Sequence, residues 1–390
     1  MSEALFDFDD IRPYRDAEVD GVIANLIGDP EFLGAIAVLR IPKIYKLSKS
    51  LGRALVRSGL KKKLNQYHDV ASLQLSVENY MDHCLERTAE SVTCVGVEKL
   101  DPNKNYLFLC NHRDIVLDPA ICNLFLHRAG LDTFRIAIGD NLLKKPYSSD
   151  LMRLNKSFIV KRGIENRREK LKELIKLSAY IRTSILDEGQ SVWIAHREGR
   201  SKDGLDKTDT ALLKMLTLSG EKGMPFSEKV RDLHIIPTVI SYQWDPCDLS
   251  KAKELAALAT DGVYEKSEME DIESIATSIQ GAKGNIEVVF GDELDQHYET
   301  SEDLAAEVDR QIWTQYRQHA SNLAAYRRLE GQIPEEVLKQ SAVTEDQLAA
   351  ADMELQKRLD QLSADAQEVL LNTYANSVRS LLSAVEAKKS

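Results

Sequence analysis

From Cys94 to Leu294 short apolar runs recur between helical stretches, and this alternation constrains the fold more than any other feature of the chain. The runs are Thr93–Val97, Tyr106–Cys110, Phe134–Ile138, Phe158–Val160, Val192–Ala195, Ile235–Tyr242 and Ile286–Phe290. All are strand-sized, and stretches such as Pro119–Arg128 and Glu169–Leu186 between them have helical length. Gly189 follows the second of these as a C′ residue. Alternation of this kind predicts an α/β fold, a mixed sheet flanked by helices. Helical segments bracket it. Residues 1–90 include Val19–Ile27 and Ala71–Ala89, and from Ser301 the apolar residues Leu304, Val308, Ile312 and Tyr316 recur every four positions. Glu335–Lys389, rich in Ala, Leu, Glu, Gln and Lys, reads as an antiparallel helical appendage. The expected units are 1–90, 91–300 and 301–390, and a chain of 390 residues buries enough surface to need no disulfides.

Lys and Arg number 51 against 62 Asp and Glu, a net charge of −11 that argues against a coat for nucleic acid. Five scattered cysteines with no C-x-x-C pair fit reduced thiols in the cytosol. The eight histidines lack zinc-site spacing, so no metal is expected. The acidic first ten residues have no apolar core of a signal peptide. No uncharged apolar stretch approaches the roughly 18 residues of a spanning helix. The expectation is a cytoplasmic protein, dissolved or resting on a membrane surface.

The charge is uneven. Phe32 to His68 contains no Asp or Glu and nine Lys and Arg, leaving −20 for the remainder. Pro42 suits a helix start and Gly59 a stop. In a continuous helix between them, Lys43, Lys46, Lys49, Arg53 and Arg57 share one side, with Ile44, Leu47, Leu51 and Leu55 on the other. Such a helix suits the interface of an anionic leaflet, apolar face down. Packed on its own domain, it would instead leave only the basic face in water.

Four polar clusters stand at strand ends. In Asn111-His112-Arg113-Asp114-Ile115-Val116-Leu117-Asp118, a His leaves a strand with carboxylates two and six residues on. A carboxylate that fixes the ring tautomer makes such a His a general base; in a plain turn, His and Asp would only cap the next helix. Next come Asn155-Lys156-Ser157-Phe158-Ile159-Val160-Lys161-Arg162-Gly163 and Trp193-Ile194-Ala195-His196-Arg197-Glu198-Gly199-Arg200-Ser201-Lys202-Asp203-Gly204. Arginine forks beside a glycine turn are what a phosphate monoester needs. The last is the Pro-containing apolar run Ile235–Tyr242.

Together these blocks resemble the glycerolipid acyltransferase superfamily, the glycerol-3-phosphate and 1-acylglycerol-3-phosphate acyltransferases, in a divergent bacterial branch. The resemblance spans Val97 to Tyr242. It implies that His112 is the catalytic base, and that Phe158 and Arg162 belong to a block whose Arg binds the acceptor phosphate. It likewise implies that Glu198, Gly199, Arg200 and Ser201 form the third block and that Pro237 with Ser241-Tyr242 forms the fourth. The blocks depart from the family pattern by about one residue. Leu117 stands where the Asp belongs and Asp118 follows, Lys156 replaces a Gly, and no residue separates Gly199 from Arg200. Asp118 preserves the Leu-Asp ending of its block, whereas Asp114 needs only a tight turn to reach the ring; both stay candidates.

The resemblance implies transfer of a fatty acyl group from acyl-CoA or acyl-ACP to a hydroxyl of glycerol-3-phosphate or 1-acylglycerol-3-phosphate, in phospholipid synthesis. Arg162, Arg200 and Lys161 would clamp the phosphate, and no cofactor beyond the thioester is required. Direct attack is expected, since no activated Ser or Cys is visible beside a base; an acyl-enzyme on Cys110, close to His112 in sequence, is the alternative. Other lysolipid or aminolipid acceptors, and an inactive lipid- or acyl-carrier-binding protein of the same fold, are the alternatives. His112-Arg113-Asp114 also reads like a protein-kinase catalytic loop, but Pro119 occupies the position of its Asn and no D-F-G follows.

Overall fold

The structure is a computed structural model describing residues 6–265 and 270–389. Residues 1–5, which enter the helical and leader-free readings of the N-terminus, lie outside the described residues, as does Ser390. The chain forms two compact units interleaved in sequence, Met1–Tyr80 with Phe134–Leu177, and Met81–Thr133 with Ser178–Ser390. In chain order the strands among the described residues are β1 (Ala89–Val95), β2 (Leu107–Cys110), β3 (Arg135–Gly139), β4 (Ser157–Val160), β5 (Val192–Ala195), β6 (Ile235–Tyr242) and β7 (Gly284–Phe290).

In the second unit the strand order is β1-β7-β6-β2-β5. Only β6 and β7 are antiparallel; the other pairs are parallel, so the expected mixed sheet is present. Continuous apolar runs such as Leu107–Cys110 and Ile235–Tyr242 are buried along their whole length, as strands covered on both faces must be. The flanking helix Leu117–Arg128 buries Leu117, Ile121 and Leu124. β1 starts and stops earlier than expected. It ends at Gly96 (φ +86), where an added Cβ would lie 2.0 Å from the Phe290 carbonyl oxygen. The chain therefore turns hard against β7, leaving no room for Val97 to continue the strand.

The C-terminal helices Ala320–Glu330, Glu335–Ser341, Glu345–Leu359 and Ala364–Lys389 share a core that includes Leu323, Leu348, Leu355, Leu370 and Val378. Thr344 and Gln347 form a capping box that starts the third of them. The long last helix packs on both Ala320–Glu330 and Asp248–Asp261.

In the first unit β3 and β4 pair in parallel, and helices gather Val19, Ile23, Leu26, Phe32 and Leu154 into a core. The acid-free segment departs from the single helix expected. It forms Pro42–Leu47 and Lys49–Leu64, separated by extended Ser48, whose hydroxyl accepts the Leu51 N–H and starts the second helix. Gly59 does not stop that helix, because Leu60 and Leu64 pack on the core and outweigh the ~1 kcal/mol cost of an interior glycine. The sidedness also differs. Arg57 donates to the carbonyls of Ile27 and Gly28, and Arg53 is half-buried with its Nε out of solvent and without a hydrogen bond. Leu47 is 87% exposed, Leu51 50% and Leu55 48%. Lys43, Lys46 and Lys49 are exposed as well. Among the described residues no single helix is long and apolar enough to cross a membrane; Asp16–Gly28 with Pro30–Val38 reaches that composition only as a pair bent by 67°.

Candidate active site

β2 delivers Asn111 and His112 from the middle of the second unit's sheet. Asn111 extends the ladder with its side chain: its amide oxygen accepts the Ile240 N–H at 2.8 Å and its amide nitrogen donates to the Ile240 carbonyl at 3.1 Å. Fixed this way, Asn111 sets where His112 leaves the sheet. The His112 carbonyl accepts the Ser201 N–H at 2.7 Å, and the Arg113 carbonyl accepts Lys251 Nζ at 2.7 Å.

The turn from His112 to Asp118 is wound around two carboxylates. Asp118 Oδ2 lies 2.9 Å from His112 Nδ1 and also accepts the backbone N–H groups of Arg113 (2.6 Å) and Asp114 (2.8 Å). Its Oδ1 accepts the Tyr242 hydroxyl at 2.8 Å. Asp118 is wholly buried, and four donors compensate that burial. Asp114 takes a different part, accepting the N–H groups of Val116 and Leu117 at the start of the helix. Burial, and then Asp118, push its carboxyl above the usual range. The ring of His112 meets Trp193 edge-on at 5.6 Å, and its Nε2 has no hydrogen bond among the described residues. With Nδ1–H given to Asp118, Nε2 carries the lone pair. Burial, followed by the carboxylates of Asp118 and Asp114, raises the Tyr242 phenol well above its ordinary value, so it remains a donor.

Behind this pair, Arg113 is buried and committed. It donates to Ser201 Oγ, the Gly204 carbonyl and Asp206, and lies over the Tyr316 ring. Ser201 is buried in the same network. Arg197 pairs with Asp203, and Lys202 with Glu254. Arg200, half-buried, has no ion pair or hydrogen bond among the described residues. Gly199 takes φ +76 beside it, and Glu198 is exposed. Pro237 is buried in β6 opposite Leu109. In the first unit, Phe158 is wholly buried in β4. Lys161 lies 2.6 Å from Asp10 and 3.2 Å from Glu173, and the backbone N–H of exposed Arg162 donates to Asp140. The basic residues of the acid-free segment, Lys43 to Arg57, belong to that same unit.

Lys251 is a contributor that sequence reasoning missed, and Asn111 and Tyr242 stood in the first and fourth blocks with no role assigned to them. Tyr242 was legible only as part of the fourth block, since 124 residues separate it from Asp118. Among the described residues no three His, Cys, Asp or Glu side chains group as a metal site.

A buried carboxylate orienting a His whose Nε2 makes no hydrogen bond among the described residues is an arrangement that can take a proton from a bound hydroxyl. Residues 91–241 match the family model described as Acyltransferase, a stretch that takes in the four blocks as far as Ser241 and the His112–Asp118 pair. The chain is also similar to the crystal structure of the 1-acyl-sn-glycerophosphate (LPA) acyltransferase PlsC from Thermotoga maritima. That similarity has 15% identity, covers 71% of this chain and 90% of that one, and has a TM-score of 0.36. A likeness at that level fixes neither topology nor substrate. No curated protein matches the chain.

Proposed function

We propose that the protein transfers a fatty acyl group from a thioester, on coenzyme A or acyl carrier protein, to a hydroxyl of glycerol-3-phosphate or a 1-acylglycerol-3-phosphate-like lysolipid in phospholipid synthesis. The observation that carries this reading is the His112–Asp118 pair with Nε2 unoccupied. Nε2 takes the proton of the acceptor hydroxyl while Asp118 stabilises the imidazolium. The acceptor oxygen forms its bond to the thioester carbonyl carbon, and the C–S bond breaks from the tetrahedral intermediate. The imidazolium then returns its proton to the leaving thiolate. Arg200, which makes no hydrogen bond or ion pair among the described residues although its charge acts on Asp245, is the proposed ligand of the acceptor phosphate in this unit. Arg162 carries the second-block assignment, while Lys161 already serves Asp10 and Glu173.

The product is an amphiphile, and peripheral attachment to the cytoplasmic leaflet is part of the proposal. Its support lies in the first unit, which has 23 Lys and Arg against 16 Asp and Glu. There, exposed Ile44, Leu47, Leu51 and Leu55 accompany Lys43, Lys46 and Lys49. Each such lysine contributes about 1 kcal/mol near an anionic surface. Lipid mass spectrometry after incubation with acyl thioester and each acceptor in turn tests the proposal. A new ester of a phosphate-bearing acceptor is expected; binding without product for every acceptor would instead identify a lipid- or carrier-binding protein.

A further inference from the structure

The C-terminal helix Ala364–Lys389 touches the third-block loop directly. The single hydroxyl hydrogen of Thr373 is shared between the Lys202 carbonyl at 3.1 Å and the Val369 carbonyl at 2.9 Å. Asn376 Nδ2 donates to the Asp203 carbonyl at 2.7 Å, while its oxygen accepts from Arg379. Gly204 (φ +75) comes so close to the helix that an added Cβ would lie 1.9 Å from the Thr373 carbonyl oxygen. Three successive loop residues are thus held by one face of one helix, immediately after Arg200 and Ser201. The loop has no regular secondary structure of its own from Glu198 to Asp209, so its backbone carbonyls need partners from elsewhere.

We infer that the C-terminal helix is a brace for acceptor binding, with Thr373 and Asn376 as positioning residues that hold the Arg200 loop in its working conformation. The inference rests on the proposed role of Arg200. A loop free to move would present that guanidinium in many orientations, and ordering it on binding would weaken acceptor affinity. Beyond their own helix, Thr373 and Asn376 hydrogen-bond the loop that follows Arg200 and not the His112 turn, so the brace is assigned to the acceptor side. Gly204 is the point at which helix and loop come closest, and no other residue type fits there.

The test compares Thr373→Val, Asn376→Asp and the double variant in the full chain, with Arg200→Ala alongside. Asn376→Asp retains the acceptor for Arg379 while removing the donor to Asp203. The double variant is expected to raise the acceptor KM about 10-fold, with the donor KM unchanged and kcat within about 3-fold. Backbone amides from Ser201 to Asp206 should exchange faster, and Thr373→Ser should behave as wild type. Faster exchange with an unchanged acceptor KM, while Arg200→Ala still raises it, overturns the brace and leaves the role of Arg200 standing. Unchanged exchange together with an unchanged KM also overturns it, as does an equal loss for both substrates. An unchanged acceptor KM in Arg200→Ala itself overturns the underlying reading of the loop.

Discussion

Tyr242 donates its phenol hydrogen to Oδ1 of Asp118 at 2.8 Å, the carboxylate oxygen that His112 does not use. The two oxygens are thereby divided, one for the tyrosine and one for the imidazole and two backbone N–H groups. Removing the phenol should let the carboxylate rotate and the ring drift from its productive angle. Tyr242→Phe is expected to lower kcat about 10-fold, the scale of one lost hydrogen bond to a charged group, with both KM values unchanged. In an Asp118→Asn background the same change should have little further effect. Additive losses in that double-mutant cycle would mean that Tyr242 acts elsewhere.

Arg200→Ala and Arg162→Ala should raise the KM for a phosphorylated acceptor by roughly 10–100-fold, as loss of a charge-assisted pair requires, and leave the donor KM in place. Lys161→Ala should do less to KM, since its ammonium already serves Asp10 and Glu173. Steady-state kinetics with each substrate varied separately checks this, and an equal rise in both KM values would move the arginines to the donor side.

Vesicle binding should depend on two sets of residues in the acid-free segment. Lys43, Lys46 and Lys49 changed together to Glu should release the protein from anionic vesicles, and Leu47, Leu51 and Leu55 changed to Ser should weaken binding to anionic vesicles as well. Wild-type binding should fall as salt rises, because exposed charges are screened over about 8 Å at physiological ionic strength. Arg53 and Arg57 should instead affect folding, given the Arg57 bonds to Ile27 and Gly28. Co-sedimentation indifferent to lipid charge, salt and both sets of changes would leave these helices as ordinary surface.

His319 links stability to pH. Burial, and then Arg317, depress its value from 6.5 to about 3. Below about pH 6.5 the unfolded chain binds a proton there that the folded chain refuses, so this contribution to stability is present at neutral pH and lost as pH falls towards 3. At pH 5 the loss is about 2 kcal/mol. Denaturant unfolding at pH 7 and pH 5 should show His319→Gln losing about that much less than wild type; parallel losses would mean that His319 titrates normally.

The elements most legible in the sequence were those whose partners impose nothing unusual. β5 and β6 begin and end with their apolar runs because β6 is buried throughout and β5 is buried up to the half-buried Ala195 at its end. β1 was displaced because the close approach of Gly96 to Phe290 is a contact between distant segments. In the acid-free segment the opposition of basic and apolar faces was readable, but not which face turns inward. That depends on carbonyls at Ile27 and Gly28 and on Val56 packing against Leu33 and Ala37. The break at Ser48 was a capping choice that periodicity alone does not reveal. At the site, His112 was evident, while the choice between Asp118 and Asp114 needed the path of the turn between them.

Replacing His112 with Ala tests the central claim most directly, with acyl transfer to a phosphate-bearing acceptor read by lipid mass spectrometry and folding read by thermal denaturation. Transfer should fall roughly 10²–10⁴-fold, the usual contribution of a general base, with the melting temperature nearly unchanged. Transfer within a few fold of wild type in a folded His112→Ala protein would contradict that role.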